Sequence, residues 1–350
     1  MNEILIDNIP VGPGHKPFII AEMSGNHNQS LERALEIVDA AADSGVHAIK
    51  LQTYTADTIT IDATGGLFDI KNPDSLWAGR NLYDLYKEAY TPWEWHKPIF
   101  EHARKRGLVV FSTPFDDTAV DFLLELGVGA FKIASFENNH LPLLRKIAGT
   151  GKPVIMSTGL SKLEDLSLSV TELRKAGCKD LILLKCTSTY PASPENSNLL
   201  TIPHMQELFG CQVGLSDHTM GIGVPIAAVA LGATVIEKHF TLRRADGGVD
   251  SAFSLEPEEF KALVIESERA FLGMGHVQYG VQKAEEKSIL FKRSLYFVKD
   301  IEAGEEFTPE NIRIIRPGDG IDPRYYDMLL GKKATKKYLR GTPVTWDTLI

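Results

Sequence analysis

The sequence predicts an α/β protein: a (β/α)8 barrel followed by a small mixed domain. Three observations carry this. Strand-like apolar runs alternate with helical patterns through residues 1–275, and eight such runs occur, at 18–21, 48–52, 109–112, 130–133, 154–157, 181–185, 213–216 and 235–239. Eight strand–helix units in succession close into a barrel. Nearly every run ends in ionisable or hydroxyl residues although its body is apolar. No Gly-x-Gly-x-x-Gly turn follows the first run, which disfavours the chief alternative, an open doubly wound sheet.

The elements follow in order. Helical patterns cover 31–44, 93–106, 118–126, 163–176 and 221–231, and Gly45, Gly107, Gly127 and Gly177 stand where four of them stop. A final helix over 257–272 covers the eighth strand. One insertion, 53–92, breaks the rhythm and holds Gly65-Gly66, Trp77, Arg80 and Tyr83. A loop of that length on a barrel reads as a lid or a substrate wall. The barrel is assigned to 1–275, a polar aperiodic linker to 276–288 and a compact domain to 289–350. That last segment has strand-like runs at 293–299, 312–316 and 341–344, turns at Ala303-Gly304 and Pro317-Gly318, and a helix over 324–330. It is near the lower size limit for folding alone, so it calls for a partner surface in its own chain or a second one.

Composition narrows the class. Hydrophobic residues make up 43% of 350, enough for a large core. The apolar runs are far shorter than a membrane span, and no basic-then-apolar leader precedes Pro10. These features predict a soluble, unexported, cytoplasmic protein with no membrane partner. Cys178, Cys186 and Cys211 form an odd set without CxxC spacing, against a disulfide framework or a cysteine zinc site. The net charge of −9 argues against nucleic acid as a partner. An anionic substrate must then be drawn by a local positive pocket.

Active sites of such barrels lie at the C-terminal strand ends. In strand order, these ends offer Glu22; Lys50 and Gln52; Ser112-Thr113; Lys132, Ser135 and Glu137; Ser157-Thr158-Gly159; Lys185 with Thr187 to Tyr190; Ser216-Asp217-His218; and Glu237-Lys238-His239. Side chains two apart share a face, so Lys50 pairs with Gln52 and Glu237 with His239, while Lys238 faces the helices or a salt bridge. Lys50, Lys132, Ser135, Ser157 and Ser216 suit a phosphate or carboxylate. The competing reading pairs each lysine with a barrel carboxylate such as Glu22 or Glu137. His218 and His239 end neighbouring strands, which lie ~4.8 Å apart, and can share one divalent ion such as Mn2+, Mg2+ or Co2+. The plainer reading is two polar residues closing buried strands. Glu22, Asp217 and Glu237 are the carboxylates near enough to act as base or hydroxyl acceptor.

Taken together, these segments resemble the bacterial nonulosonate (sialic acid-type) synthase family over nearly the whole chain. The motifs are Ala21-Glu22 with Asn26-His27, Lys50 to Thr53, Ser112 to Phe115, Phe131 to Ser135 with Glu137, Ser157 to Gly159, Cys186-Thr187 with Tyr190-Pro191, Gly214 to Thr219 and Glu237 to Phe240. Arg293 to Leu295 and Arg316 to Gly318 resemble the family's antifreeze-protein-like (SAF) domain. The resemblance implies a (β/α)8 TIM barrel plus SAF domain that condenses phosphoenolpyruvate with an open-chain amino sugar. It implies that His218 and His239 bind the metal, and that Lys50, Lys132, Ser135, Ser157 and Ser216 hold phosphoenolpyruvate. Glu22, Gln52, Thr113, Glu137, Tyr190, Asp217, Glu237 and Asp250 line the sugar and the reacting water. Arg316 reaches the sugar from the partner of a domain-swapped homodimer. Within the family, the segments 23–28, 76–83 and 91–96 look most like the pseudaminic acid synthases, whose sugar is 2,4-diacetamido-2,4,6-trideoxy-L-altrose. Several sialic acid synthases carry asparagine where Ser188 stands here.

Three rivals remain. The same reaction can run on N-acetylmannosamine or the legionaminic precursor. A class I aldolase would use Lys185 or Lys132 as Schiff-base nucleophile. A non-catalytic saccharide-binding barrel would favour aromatics and neutral amides over this crowd of charges.

Overall fold

The computed structural model describes residues 2–349. It divides into two compact units, Met1–Gly275 and His276–Ile350.

The first unit opens with an antiparallel hairpin, β1 (Ile4–Ile6) and β2 (Ile9–Val11). Sequence reading missed it, because three-residue strands are too short to show a period. Ile4, Ile6 and Val11 are buried in the same core as the barrel. Eight strands then close the barrel: β3 (Phe18–Glu22), β4 (Ala48–Thr53), β5 (Val109–Pro114), β6 (Phe131–Ile133), β7 (Val154–Ser157), β8 (Leu181–Cys186), β9 (Gln212–Asp217) and β10 (Val235–His239). They run parallel in chain order, and β10 pairs with β3. Parallel strands are buried on both faces, which is why each reads as an unbroken apolar run.

Helices cover the outer face. Leu31–Asp43 starts at Ser30, whose hydroxyl accepts the Arg33 N–H, and buries Ala34, Ile37, Val38 and Ala41. Asp116 caps Asp117–Glu125 through the Thr118 and Ala119 N–H groups. Burying each Ile or Val of such a stripe contributes ~1.5–3 kcal/mol. Leu163–Lys175, Thr201–Phe209 and Pro257–Met274 follow the same plan.

The insertion differs from the loop expected. It folds into Ala56–Ile59 and Leu82–Ala89, the second capped by Asn81 and burying Tyr83, Leu85 and Ala89. No helix among the described residues is long and apolar enough to cross a membrane.

The second unit pairs β11 (Ser294–Phe297) with β12 (Ile312–Ile315), antiparallel. Leu295, Phe297, Phe307, Ile312 and Leu329 form its core, and Phe297 stacks on Tyr338 at 5.1 Å. Part of the expected linker coils instead as the exposed 3-10 segment Lys283–Phe291. The helix expected over 324–330 splits into Pro323–Tyr325 and Tyr326–Leu329.

Register sets the site. β10 meets β3 with His239 opposite Glu22, and β4 sets Lys50 opposite Glu22. β8, β9 and β10 set Cys186, Ser216 and Glu237 side by side. Gly214 lets β9 and β10 approach, since a Cβ there would overlap the Val235 carbonyl and crowd Leu184. Gly214→Ala is therefore expected to lower stability by about 1–3 kcal/mol, read as a reduced midpoint in denaturant unfolding. An unchanged midpoint would show that the wall yields.

Candidate active site

Alternation along each strand sends a charged set into the barrel lumen. Lys50 Nζ forms an ion pair with Glu22, lies 3.9 Å from Glu237 Oε2, and donates to Thr113 Oγ1 at 3.1 Å. Gln52 donates to Glu22 Oε1 at 3.1 Å. Lys132 Nζ donates to Ser157 Oγ at 2.7 Å and lies 3.6 Å from Glu237 Oε1. Ser216 donates to the same Glu237 oxygen at 3.2 Å. Glu22, Lys50, Lys132 and Glu237 are all buried. The lysines thus do find barrel carboxylates, Glu22 and Glu237 rather than Glu137.

Burial decides the protonation pattern. It raises the Glu22 pKa more than Lys50 pulls it back. Burial alone would raise Glu237 too, but the ammonium groups of Lys132 and Lys50 hold it below the usual value. Burial opposes the Lys50 charge, and Glu22 and Glu237 more than offset it. Lys132 is less well compensated, and burial lowers it. Glu137 is pushed up by burial to about 7. Its Oε2 and Glu237 Oε2 are buried with no hydrogen-bond partner among the described residues. Buried polar atoms rarely go unpaired, and each of these two oxygens keeps capacity for a further hydrogen bond.

The two histidines come together. Their ring centroids are 5.4 Å apart. His218 Nδ1 lies 2.9 Å from the Thr187 carbonyl, which can only accept, so that nitrogen carries a proton. Burial opposes the ring's charge, but Cys186 and the Thr187 carbonyl more than offset it and raise its pKa. Burial holds His239 neutral, its pKa well below the ordinary value. Its Nδ1 is buried without a hydrogen-bond partner, 3.9 Å from Asp250 Oδ2. Two adjacent imidazoles are the donor type that, once deprotonated, can share a divalent ion with open positions. No group of three or more His, Cys, Asp or Glu among the described residues does so. Tyr190 packs over this pair, 4.5 Å from the His218 ring, with Trp77 at 5.7 Å and Phe253 at 5.2 Å behind it.

Ser135 accepts the Gly159 N–H at 3.1 Å, and a Cβ at Gly159 would strike the hydroxyls of Ser135 and Ser188. Asp250 accepts a hydrogen bond from Ser24. Asn138 holds the Ser157 and Gly159 carbonyls. Arg316 follows β12 in the second unit, exposed and without an ion pair among the described residues.

Two expectations are corrected. Asp217 does not face the lumen: on β9 the inward residue is Ser216, so Asp217 points outward and accepts from Lys238 at 2.5 Å and from the Thr219 N–H and hydroxyl. It lies behind the lumen wall, paired with Lys238. Lys185, the rival Schiff-base nucleophile, also leaves the lumen, donating to the Cys186 carbonyl and Thr187 Oγ1. Four contributors were missed. Cys186 faces inward, 4.0 Å from His218 Nδ1; the two-residue alternation of β8 would have found it. Burial would raise its thiol, but His218 brings it down to about 7. Ser24, Asn138 and Phe253 come from loops that carry no periodic signal.

The Asp217–Lys238 pair is sealed, with Lys238 wholly buried. Lys238→Met strands a buried carboxylate and is expected to lower stability by about 3–5 kcal/mol. Lys238→Met/Asp217→Leu should recover most of it in urea unfolding; equal losses in both would discount the pair.

Comparison with known proteins follows the same lines. Residues 37–279 match the NeuB family, and residues 292–350 match the SAF domain. The chain is 46% identical over 321 residues to a pseudaminic acid synthase of Campylobacter jejuni, covering 92% of this chain and 93% of that protein. It is 42% identical over 334 residues to a pseudaminic acid synthase of Helicobacter pylori, covering 95% and 98%. Among solved structures, an N-acetylneuraminic acid synthetase from Leptospira borgpetersenii, in complex with citrate, is similar at 34% identity and a TM-score of 0.72, over 82% of this chain and 95% of that one. The chain belongs to the NeuB family, the phosphoenolpyruvate-condensing nonulosonate synthases, and carries transferase-type activity on a barrel followed by a SAF domain.

Proposed function

We propose that this enzyme is a pseudaminic acid synthase, joining phosphoenolpyruvate, 2,4-diacetamido-2,4,6-trideoxy-L-altrose and water into pseudaminic acid and phosphate. The observation that carries the reaction is the facing of a lysine pair, Lys50 and Lys132, by a histidine pair, His218 and His239, inside one lumen. The sugar assignment rests on the 46% identity to a pseudaminic acid synthase. It gains support from the apolar wall of Trp77, Tyr190 and Phe253, which suits a 6-deoxy sugar's methyl group.

Lys50 and Lys132 bind the phosphate and carboxylate of phosphoenolpyruvate, with Ser135, Ser157 and Ser216 as directional partners. C3 attacks the sugar aldehyde, and neutral Glu137 gives its proton to the oxygen that becomes a hydroxyl. Water adds at C2, losing one proton to the carboxylate pair Glu22 and Glu237. The C2–O bond to phosphate then breaks, and phosphate departs with the bonding electrons and the second water proton, leaving the C2 ketone. Gln52, Thr113, Tyr190 and Asp250 orient the sugar. Membership of the family implies a divalent metal, here Mn2+, Mg2+ or Co2+, which His218 and His239 would hold and which polarises a carbonyl when bound. The enzyme works in the cytoplasm, where phosphoenolpyruvate is made. It acts as a domain-swapped homodimer in which the partner subunit's Arg316 contacts the sugar.

Three measurements test this. Phosphate release is compared across the diacetamido-trideoxy-altrose, N-acetylmannosamine and the legionaminic precursor, with and without EDTA. The first sugar should win by at least about tenfold, worth ~1.4 kcal/mol, and EDTA should abolish turnover. A win for the legionaminic precursor would support the second reading, which a relative of that activity at 40% identity favours. Borohydride trapping with pyruvate, indifferent to EDTA, would instead support the aldolase through Lys132.

Glu137 sets a pH limb. Its carboxyl is neutral below about 7 and ionises above, so kcat/KM is expected to decline as pH rises through that value. Glu137→Gln should remove the limb along with most of the rate; a limb that persists in that variant would assign it to another group.

Arg316→Ala and His239→Ala should each be nearly inactive alone. Mixed, they should regain some turnover if the arginine acts across subunits, and no recovery would argue against the swap.

A further inference from the structure

β7 and β8 have a second, outward face that the reaction does not use. On β8, Cys186 faces the lumen, so Lys185 beside it leaves the barrel in the other direction. It enters a cavity of about 390 Å3 between helices Leu163–Lys175 and Thr201–Phe209. Leu163, Leu166, Met205 and Phe209 form an apolar floor, and Lys162 and His204 stand at the sides. The lining holds no aspartate or glutamate, in a chain whose net charge is −9.

Lys185 is the anomaly. It is half-buried, and its only fixed partners among the described residues are neutral: the Cys186 carbonyl at 3.0 Å and Thr187 Oγ1 at 3.1 Å. The fully buried lysines of this barrel, Lys50, Lys132 and Lys238, each have a carboxylate within 4 Å. A partly buried ammonium with neutral partners still lacks its counter-charge. Ser161 Oγ, also in the lining, is shielded from solvent with no hydrogen-bond partner among the described residues.

We propose that this cavity binds a small organic anion, a carboxylate or phosphate ester on a compact apolar body, with Lys185 as its cationic anchor. The site is separate from the lumen but shares its wall. Lys185 holds the carbonyl of Cys186, whose sulfur lies 4.0 Å from His218 Nδ1. Thr158 lines the cavity, and Ser157 before it accepts from Lys132 inside the barrel. An anion that draws Nζ away from Cys186 and Thr187 therefore alters the setting of His218 and changes turnover.

The test uses the full chain with saturating phosphoenolpyruvate, so that the lumen is occupied. Phenyl phosphate, phenylacetate and neutral phenylacetamide are compared by saturation-transfer NMR. The two anions should bind and the amide should not. Which anion binds tighter identifies the ester or the carboxylate as the natural headgroup. Lys185→Met should weaken both anions by about tenfold or more, while Lys185→Arg retains them. Amide binding equal to the anions, or undiminished binding in Lys185→Met, overturns the site. Should Lys185→Met fail to fold, wild-type protein answers instead. The anions should protect Lys185 from reductive methylation, read by peptide mass spectrometry, and absence of protection overturns the proposal. Binding with no change in kcat or KM would overturn the coupling to the lumen.

Discussion

Four buried charges at the centre of the barrel, Glu22, Lys50, Lys132 and Glu237, govern the rest of the structure. Two ammonium groups and two carboxylates are taken out of water together, and none could stay ionised there alone. They survive because each is held by another or by a hydroxyl: Lys50 by Glu22 and Thr113, Lys132 by Ser157, Glu237 by Ser216. Their mutual balance leaves two cations facing the lumen. A phosphate does not need to be drawn by the whole surface, whose net charge repels it.

The same wall serves two layers because strand side chains alternate. On β9 and β10, Ser216, Glu237 and His239 face the lumen, while Asp217 and Lys238 lock together behind them. That outer pair joins β9 and β10 at the register in which His218 and His239 stand 5.4 Å apart. On β8 the alternation gives Cys186 to the lumen and Lys185 to the helical layer. Residues adjacent in the chain therefore face different compartments.

Aromatic packing completes the site from loops rather than strands. Trp77 from the insertion is anchored by its indole N–H on the Val249 carbonyl at 3.0 Å, and leans on Tyr190. Tyr190 in turn lies against His218 and Phe253. Three chain segments far apart in sequence thus build one apolar side opposite the lysines. Burial there pushes the Tyr190 hydroxyl pKa up, so it stays a neutral donor.

Much of this was legible in the residues alone. The eight strands stand out because buried parallel strands are written as continuous apolar runs, and the polar residues that interrupt their ends are too costly to be there without a partner. Local order thus determined the barrel, the inward lysines and the two histidines, and the motifs named the family. What tertiary structure decided was pairing. Whether Lys50 meets Glu22 or Glu137 depends on strand register and shear, which no local pattern encodes. Asp217 looked like a neighbour of the chemistry because it precedes His218. Only the pleat, and a lysine waiting on the next strand, turned it outward. The β1–β2 hairpin and the wall of Trp77, Tyr190 and Phe253 were hidden for a related reason. Their stability comes from contacts across long sequence separations, and a short strand or a single loop aromatic carries no period by which to recognise it.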